Sequence, residues 1–90
     1  MLQLAKTVTL TGVWTRVEFS RPCRKWCVKN FSDADLLVSF EPNTPDDECI
    51  RILPNSYEEP IQASDIEVQN FLYLKGTGKV EVENEWYVNE

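Results

Sequence analysis

Apolar and polar positions alternate along most of this chain with a period of two, the pattern of strands that bury one face and expose the other. The pattern is clearest from Arg24 to Phe40. There Trp26 and Val28 share one face, Lys25 and Lys29 share the other, and Leu36, Val38 and Phe40 resume the apolar parity after Asn30-Phe31-Ser32-Asp33-Ala34-Asp35. The intervening residues favour turns, so the stretch reads as a hairpin with one dry face, around which the rest of the chain is organised.

Upstream, Lys6-Thr7-Val8-Thr9-Leu10 is a β-branched alternating run ended by Thr11-Gly12. Val13 to Phe19 alternates next, with Val13, Thr15, Val17 and Phe19 on one parity and Trp14, Arg16 and Glu18 on the other, so that Trp14 falls on the polar face. Ser20-Arg21-Pro22 is expected to stop this strand, because Pro22 cannot donate to a ladder. Downstream, Glu41 to Glu48 reads as a surface loop rich in proline and acids, Cys49 to Leu53 as a short strand, and Tyr57 to Gln62 as an edge strand marked by Pro60. Ser64-Asp65-Ile66-Glu67 has the spacing of a capping box and predicts one helical turn.

Asn70 to Lys75 is apolar on both parities, Leu72 and Leu74 against Phe71 and Tyr73, as in a buried or interface strand. Gly76-Thr77-Gly78 predicts a tight hairpin turn. Lys79 to Val88 then places Val80, Val82, Trp86 and Val88 opposite Glu81, Glu83 and Glu85. Seven or eight short strands at spacings of about ten residues, with almost no helical periodicity, predict an all-β fold: a single small antiparallel β-sandwich of jelly-roll or immunoglobulin-like type spanning residues 1–90.

Composition changes this picture at three points. A 90-residue chain has a thin core, and its ten aromatics (three Trp, three Tyr, four Phe) are many for that core to cover. Its charge is uneven: residues 1–31 hold six bases and one acid, residues 32–90 three bases and fourteen acids, giving +5 and −11 within a net −6. Interleaved strands would let these charges meet across the ladder, whereas segregated ones would polarise the surface for docking. The acidic balance, with a pI near 4.6, disfavours nucleic acid as a partner. Three cysteines, Cys23, Cys27 and Cys49, cannot all pair within one chain, and neither a signal-peptide run nor a membrane-length apolar segment is present. The expectation is a protein made and kept in a reducing cytoplasm.

Candidate chemistry is sparse. Cys23 and Cys27 stand four apart, roughly 13 Å on a regular strand, and could not share an ion without a bulge. The chain has no histidine to complete a metal set or to serve as the base for a cysteine or serine nucleophile. Asp46-Asp47-Glu48 lacks calcium-loop spacing, and Gly76-x-Gly78 joins strands rather than cradling a phosphate. No enzyme activity, cofactor or metal is therefore expected. The aromatics off the core parity, with the arginine among them, are the candidate contact residues: Trp14, Arg16, Phe71, Tyr73 and Tyr87. They suit a protein interface, and stacking on a glycan is the alternative use.

Five phrases in order carry a resemblance: Leu10-Thr11-Gly12-Val13-Trp14, Trp26-Cys27-Val28-Lys29-Asn30, Leu37-Val38-Ser39-Phe40-Glu41, Ile50-Arg51-Ile52-Leu53-Pro54, and Phe71-Leu72-Tyr73-Leu74-Lys75-Gly76-Thr77-Gly78-Lys79-Val80-Glu81-Val82. Over about residues 7–83 the chain resembles small β-domain proteins encoded in the structural-gene regions of tailed phages and prophages. The resemblance implies a virion component of head-decoration or head-fibre type, assembled in the cytoplasm of a bacterial host and then carried in the virion. It also implies self-association, often as a homotrimer, or attachment to other virion proteins, with no membrane partner. No residue roles follow from it.

Overall fold

The structure is a computed structural model that describes residues 5–62 and 69–87. Seven strands follow the chain: β1 (Ala5–Thr11), β2 (Thr15–Asn30), β3 (Leu36–Ser39), β4 (Ile50–Ile52), β5 (Ser56–Gln62), β6 (Gln69–Lys75) and β7 (Thr77–Tyr87). A single 3-10 turn, Asp46–Glu48, is the one helical element among the described residues, and no described helix is long and apolar enough to cross a membrane. The helical turn expected at Ser64 to Glu67 lies outside the described residues.

All the pairings are antiparallel, and the hydrogen-bonded path runs β1-β7-β2-β6-β3-β4 with β5 added to β2. The 16-residue β2 takes part twice. Its first half, Thr15 to Glu18, pairs with β6; its second half, Cys23 to Asn30, lies between β7 and β5. The path therefore folds into two four-stranded leaves: a first leaf β1-β7-β2-β5 and a second leaf β2-β6-β3-β4 that share one strand. This is a small antiparallel β-sandwich.

The handover occurs where the sequence predicted a stop. Pro22 does not end β2, yet the register with β6 jumps between Glu18 and Cys23, so the missing donor falls at the bend between leaves. The Asn70 amide donates to the Phe19 carbonyl at 2.9 Å and occupies an acceptor at the bulge.

Two expected hairpins are absent. The strands on either side of Asn30 to Asp35 do not pair with each other: β2 ends in the first leaf, β3 starts in the second, and their dry faces meet across the core. Likewise Gly76 joins β6 of the second leaf to β7 of the first, a corner rather than a hairpin turn. Gly12, between β1 and β2, makes the parallel crossing, and its N–H donates to the Gly76 carbonyl at 2.7 Å. Alternation reports which face is dry, and a strand can satisfy a dry face from the opposite leaf as well as from its neighbour.

The core is one cluster between the leaves. Leu10, Trp26, Val28, Val80 and Val82 come from the first, and Val17, Phe19, Leu36, Val38, Ile52, Leu72 and Leu74 from the second. Each fully buried aliphatic or aromatic side chain contributes roughly 1.5–3 kcal/mol relative to an exposed one. Trp26 and Phe40 meet with ring centroids 5.7 Å apart and tilted by 51°.

One polar group is buried among them by design of the loops. Asn30 is 0% exposed. Its Nδ2 donates to the carbonyls of Ala34 (2.8 Å), Ile52 (3.2 Å) and Leu53 (3.2 Å), and its Oδ1 accepts from the Ser32 N–H (3.0 Å) and hydroxyl (2.7 Å). The residue that reads as a turn former in sequence thus ties the end of β2 to the loop before β3 and the end of β4. Gly78 seals the same end: its φ is +96°, and a Cβ there would lie 2.8 Å from Ser32 Cβ.

Candidate protein interface

The outward side chains of the second leaf form the candidate site. The pairing of Arg16 with Tyr73 and of Glu18 with Phe71 follows from the β2–β6 register, and alternation sends all four away from the core while Val17 and Leu72 point in. Continuing that register past Thr15 and Leu74 sets Trp14 beside Lys75. The face is then extended by β3, where Leu37 opposes Lys75 and Ser39 opposes Tyr73.

Its rings and charges are packed on one another. The Arg16 guanidinium lies 4.1 Å from the Phe71 ring centroid, and Arg16 Nη2 is 2.8 Å from Glu18 Oε1. Phe71 meets Tyr73 edge to face, with centroids 5.6 Å apart and planes at 78°. Lys75 Nζ stands 5.8 Å over the Trp14 ring. An exposed cation–π contact contributes about 0.5–1 kcal/mol and an edge-to-face ring pair a similar amount. The more telling consequence is order, because side chains fixed before binding lose less entropy when a partner arrives.

The loop from Glu41 to Cys49 borders this face. The Ser39 and Thr44 hydroxyls share a hydrogen bond of 2.5 Å, the Glu41 N–H donates to Ser39 Oγ at 3.1 Å, and Lys75 Nζ reaches Asp46 Oδ1 at 3.4 Å. Asp46, part of the acidic run weighed for calcium, is thus committed to a lysine. A cleft of about 240 Å³ opens beside the loop, lined by Asp35, Leu37, Asp46, Arg51 and Lys75 with the Gly76 corner. Arg51 Nη1 lies 2.6 Å from Asp35 Oδ2, so its two cations are each matched by an acid and the cleft has no net charge to select an ionic ligand.

Four of the five candidates from the sequence, Trp14, Arg16, Phe71 and Tyr73, gather on this one face. The fifth does not join them: Tyr87 ends β7 in the first leaf, opposite Cys23, and its side chain lies outside the described residues. Lys75 and Leu37 belong to the face and were missed. Lys75 fits its own strand's pattern and only its strand neighbours reveal it, whereas Leu37 stands off the Leu36–Val38–Phe40 parity and could have been picked out by the same signal as the aromatics.

The two cysteines with described side chains, Cys27 and Cys49, are both free thiols. Cys27 is buried, and the Cys49 thiol donates to the Pro45 carbonyl at 3.3 Å. Burial, and then the Asp46 carboxylate, push the Cys49 thiol up from its ordinary pKa and so away from the reactive thiolate. The side chain of Cys23 lies outside the described residues. Among the described residues, no group of three or more cysteines and carboxylates is placed to hold a metal ion.

No protein-family model, curated protein or solved structure gave a significant match to this chain.

Proposed function

We propose that this chain is a non-enzymatic structural or accessory protein that works by protein–protein contact through the outer face of its second leaf. The observation that carries the reading is the convergence of Trp14, Arg16, Phe71 and Tyr73, separated by up to about 60 positions in sequence, into one ordered patch. A half-buried aromatic patch with an arginine at its centre has the composition of interface hot spots. The resemblance to phage and prophage structural-region proteins supplies the setting: a virion component, of capsid-decoration or fibre type, that attaches to other virion proteins and self-associates.

Glycan binding is the weaker use of the same residues. Sugars stack on open ring faces, whereas one face of Phe71 is covered by Arg16 and its edge geometry with Tyr73 leaves no flat platform. The test is incorporation. Particles from an induced host strain carrying the gene are purified, and the chain is quantified in them by mass spectrometry for the natural sequence and for a Phe71→Ala, Tyr73→Ala double variant. The reading expects the natural chain in the particles and the variant, still folded, left behind. Absence of the natural chain from particles would refute the virion setting.

A further inference from the structure

The edges of the two leaves differ in how they are protected. β5 carries Glu58, Glu59 and Pro60; β4 has only three residues and an exposed arginine; the open half of β2 has Arg16 and Glu18 and ends in a bulge. These are the devices by which natural sheets resist edge-to-edge pairing. β1 has only one of them, the inward lysine Lys6. It is seven residues long, keeps an unbroken register with β7, and contains no proline and no acid. Its one charge, Lys6, lies on the inward parity with its ammonium 5.6 Å from the Phe19 ring.

Two hydrogen bonds fix which backbone groups β1 leaves open. Gly12 N–H donates to Gly76 O one step beyond the Thr11–Thr77 pair, and Phe31 N–H donates to Lys79 O one step beyond Asn30–Val80. By the alternation of an antiparallel ladder, Lys6, Val8 and Leu10 direct their N–H and C=O groups toward β7. Ala5, Thr7, Thr9 and Thr11 direct theirs to the open edge, where no described strand meets them.

We infer that β1 is a self-complementary edge that joins two copies of this chain, β1 against β1 and antiparallel, about a two-fold axis at Val8. The backbone phase and the side chains of the strand suit an isologous contact. With Val8 opposite Val8 of the second copy, Thr7 faces Thr9 and Ala5 faces Thr11, so each open residue meets an open residue and exchanges both backbone bonds with it. Threonine pairs favour such ladders. Lys6 faces Leu10, so the two lysines stand roughly 13 Å apart along the strands and do not repel at contact. The half-buried Val8 gains cover from its own copy. This deepens the self-association in the function proposed above, but on a different element from the aromatic face.

The register makes a sharp prediction. A central pair without direct hydrogen bonds has its Cα atoms about 4.5 Å apart, inside the range a disulfide spans. Val8→Cys is therefore expected to form a covalent dimer on mild oxidation, in excess of any band from the natural cysteines, and Lys6→Cys is not. Light scattering is expected to give a dimer mass for the natural chain and a monomer for Thr9→Pro, whose lost N–H faces the open edge and leaves the β7 ladder intact, as circular dichroism would verify. Phe71→Ala is expected to keep the dimer. A natural chain that is monomeric at every concentration, a Thr9→Pro dimer, or equal crosslinking at positions 6 and 8 would overturn the inference. If Phe71→Ala dissociates the assembly while Thr9→Pro does not, self-association runs through the aromatic face instead.

Discussion

The two outer faces of this sandwich are built from the same alternation and carry different side chains. On the first leaf, Thr7, Thr9 and Thr11 of β1 stand outward beside Lys79, Glu81 and Glu83 of β7, and Lys29 Nζ bridges Glu83 Oε1 at 2.8 Å and Glu81 Oε1 at 3.5 Å. Most of these hydroxyls and charges are open to water, and the same face also holds the buried Cys27 and, opposite Lys29, the exposed Tyr57. On the second leaf the outward positions hold Trp14, Phe71 and Tyr73, and the charges that accompany them are stacked on rings. The contrast teaches that burial pattern alone does not distinguish a solvated face from a docking face. What distinguishes them is whether the outward side chains are better satisfied by water or by another apolar surface.

Both faces depend on the shared strand and the corner that holds its end, so the largest effects strike there. Asn30→Ala leaves the Ala34, Ile52 and Leu53 carbonyls and the Ser32 donors short of a partner, and is expected to cost about 3 kcal/mol in denaturant unfolding, with both leaves lost in one transition. Gly78→Ala meets Ser32 Cβ and an unfavourable φ, and is expected to cost about 2 kcal/mol by the same assay. A variant that melted one face before the other would break the idea of a common support.

Smaller changes separate the faces. Phe71→Ala removes only half-buried contacts and is expected to lower stability by about 1 kcal/mol or less, while weakening attachment to a protein partner by at least ~30-fold. Lys79→Ala on the opposite face should alter neither. Binding titrations against the purified partner, alongside thermal melts, read both quantities.

The smallest expected effect is on the solvated face. A hydrogen bond from Lys29, helped by one with Glu81 and by the lysine's charge, holds Glu83 below its ordinary carboxylate pKa. The unfolded chain therefore binds more protons across that interval, so this contribution is present above the ordinary value of 4.5 and is lost as the pH falls through the lowered one. Lys29 is held up in turn, chiefly by the Glu83 hydrogen bond, so its share is full below 10.5 and fades only as the pH rises past its raised value. Lys29→Met is expected to flatten the acid limb of the stability curve slightly, and about 1 M salt should mask the difference. An acid limb unchanged by the substitution at low salt would show that the pair does not contribute.

The fold class and most of the core were legible because parity separates the core-facing side chains from the rest, although Cys27, Leu37 and Ser39 are buried on the other parity. Val17, Trp26, Val28, Leu72, Leu74, Val80 and Val82 all fall where alternation puts them. Pairing was not legible: the Arg24 to Phe40 stretch and the Gly76 corner contain good turn chemistry, and turn chemistry does not say whether the chain returns in its own sheet or crosses to the other. Pro22 shows the same limit, since a residue that cannot donate suits a bend between leaves as well as a strand end. For the candidate site, four of the five candidates from the sequence fall on one face, while Lys75 joined them only through its neighbours on adjacent strands. The role of Asn30 was hidden because its partners lie on loops brought together by the fold.

We have proposed that the second leaf's outer face, and not the first's, attaches this chain to a protein assembly. This is tested by the amount of chain retained in purified particles for three sequences: the natural one, Phe71→Ala with Tyr73→Ala, and Lys79→Ala with Glu81→Ala. The account predicts equal retention of the first and third and loss of the second, with all three folded. Retention of the aromatic double variant at the natural level, or loss confined to the first-leaf variant, would contradict it.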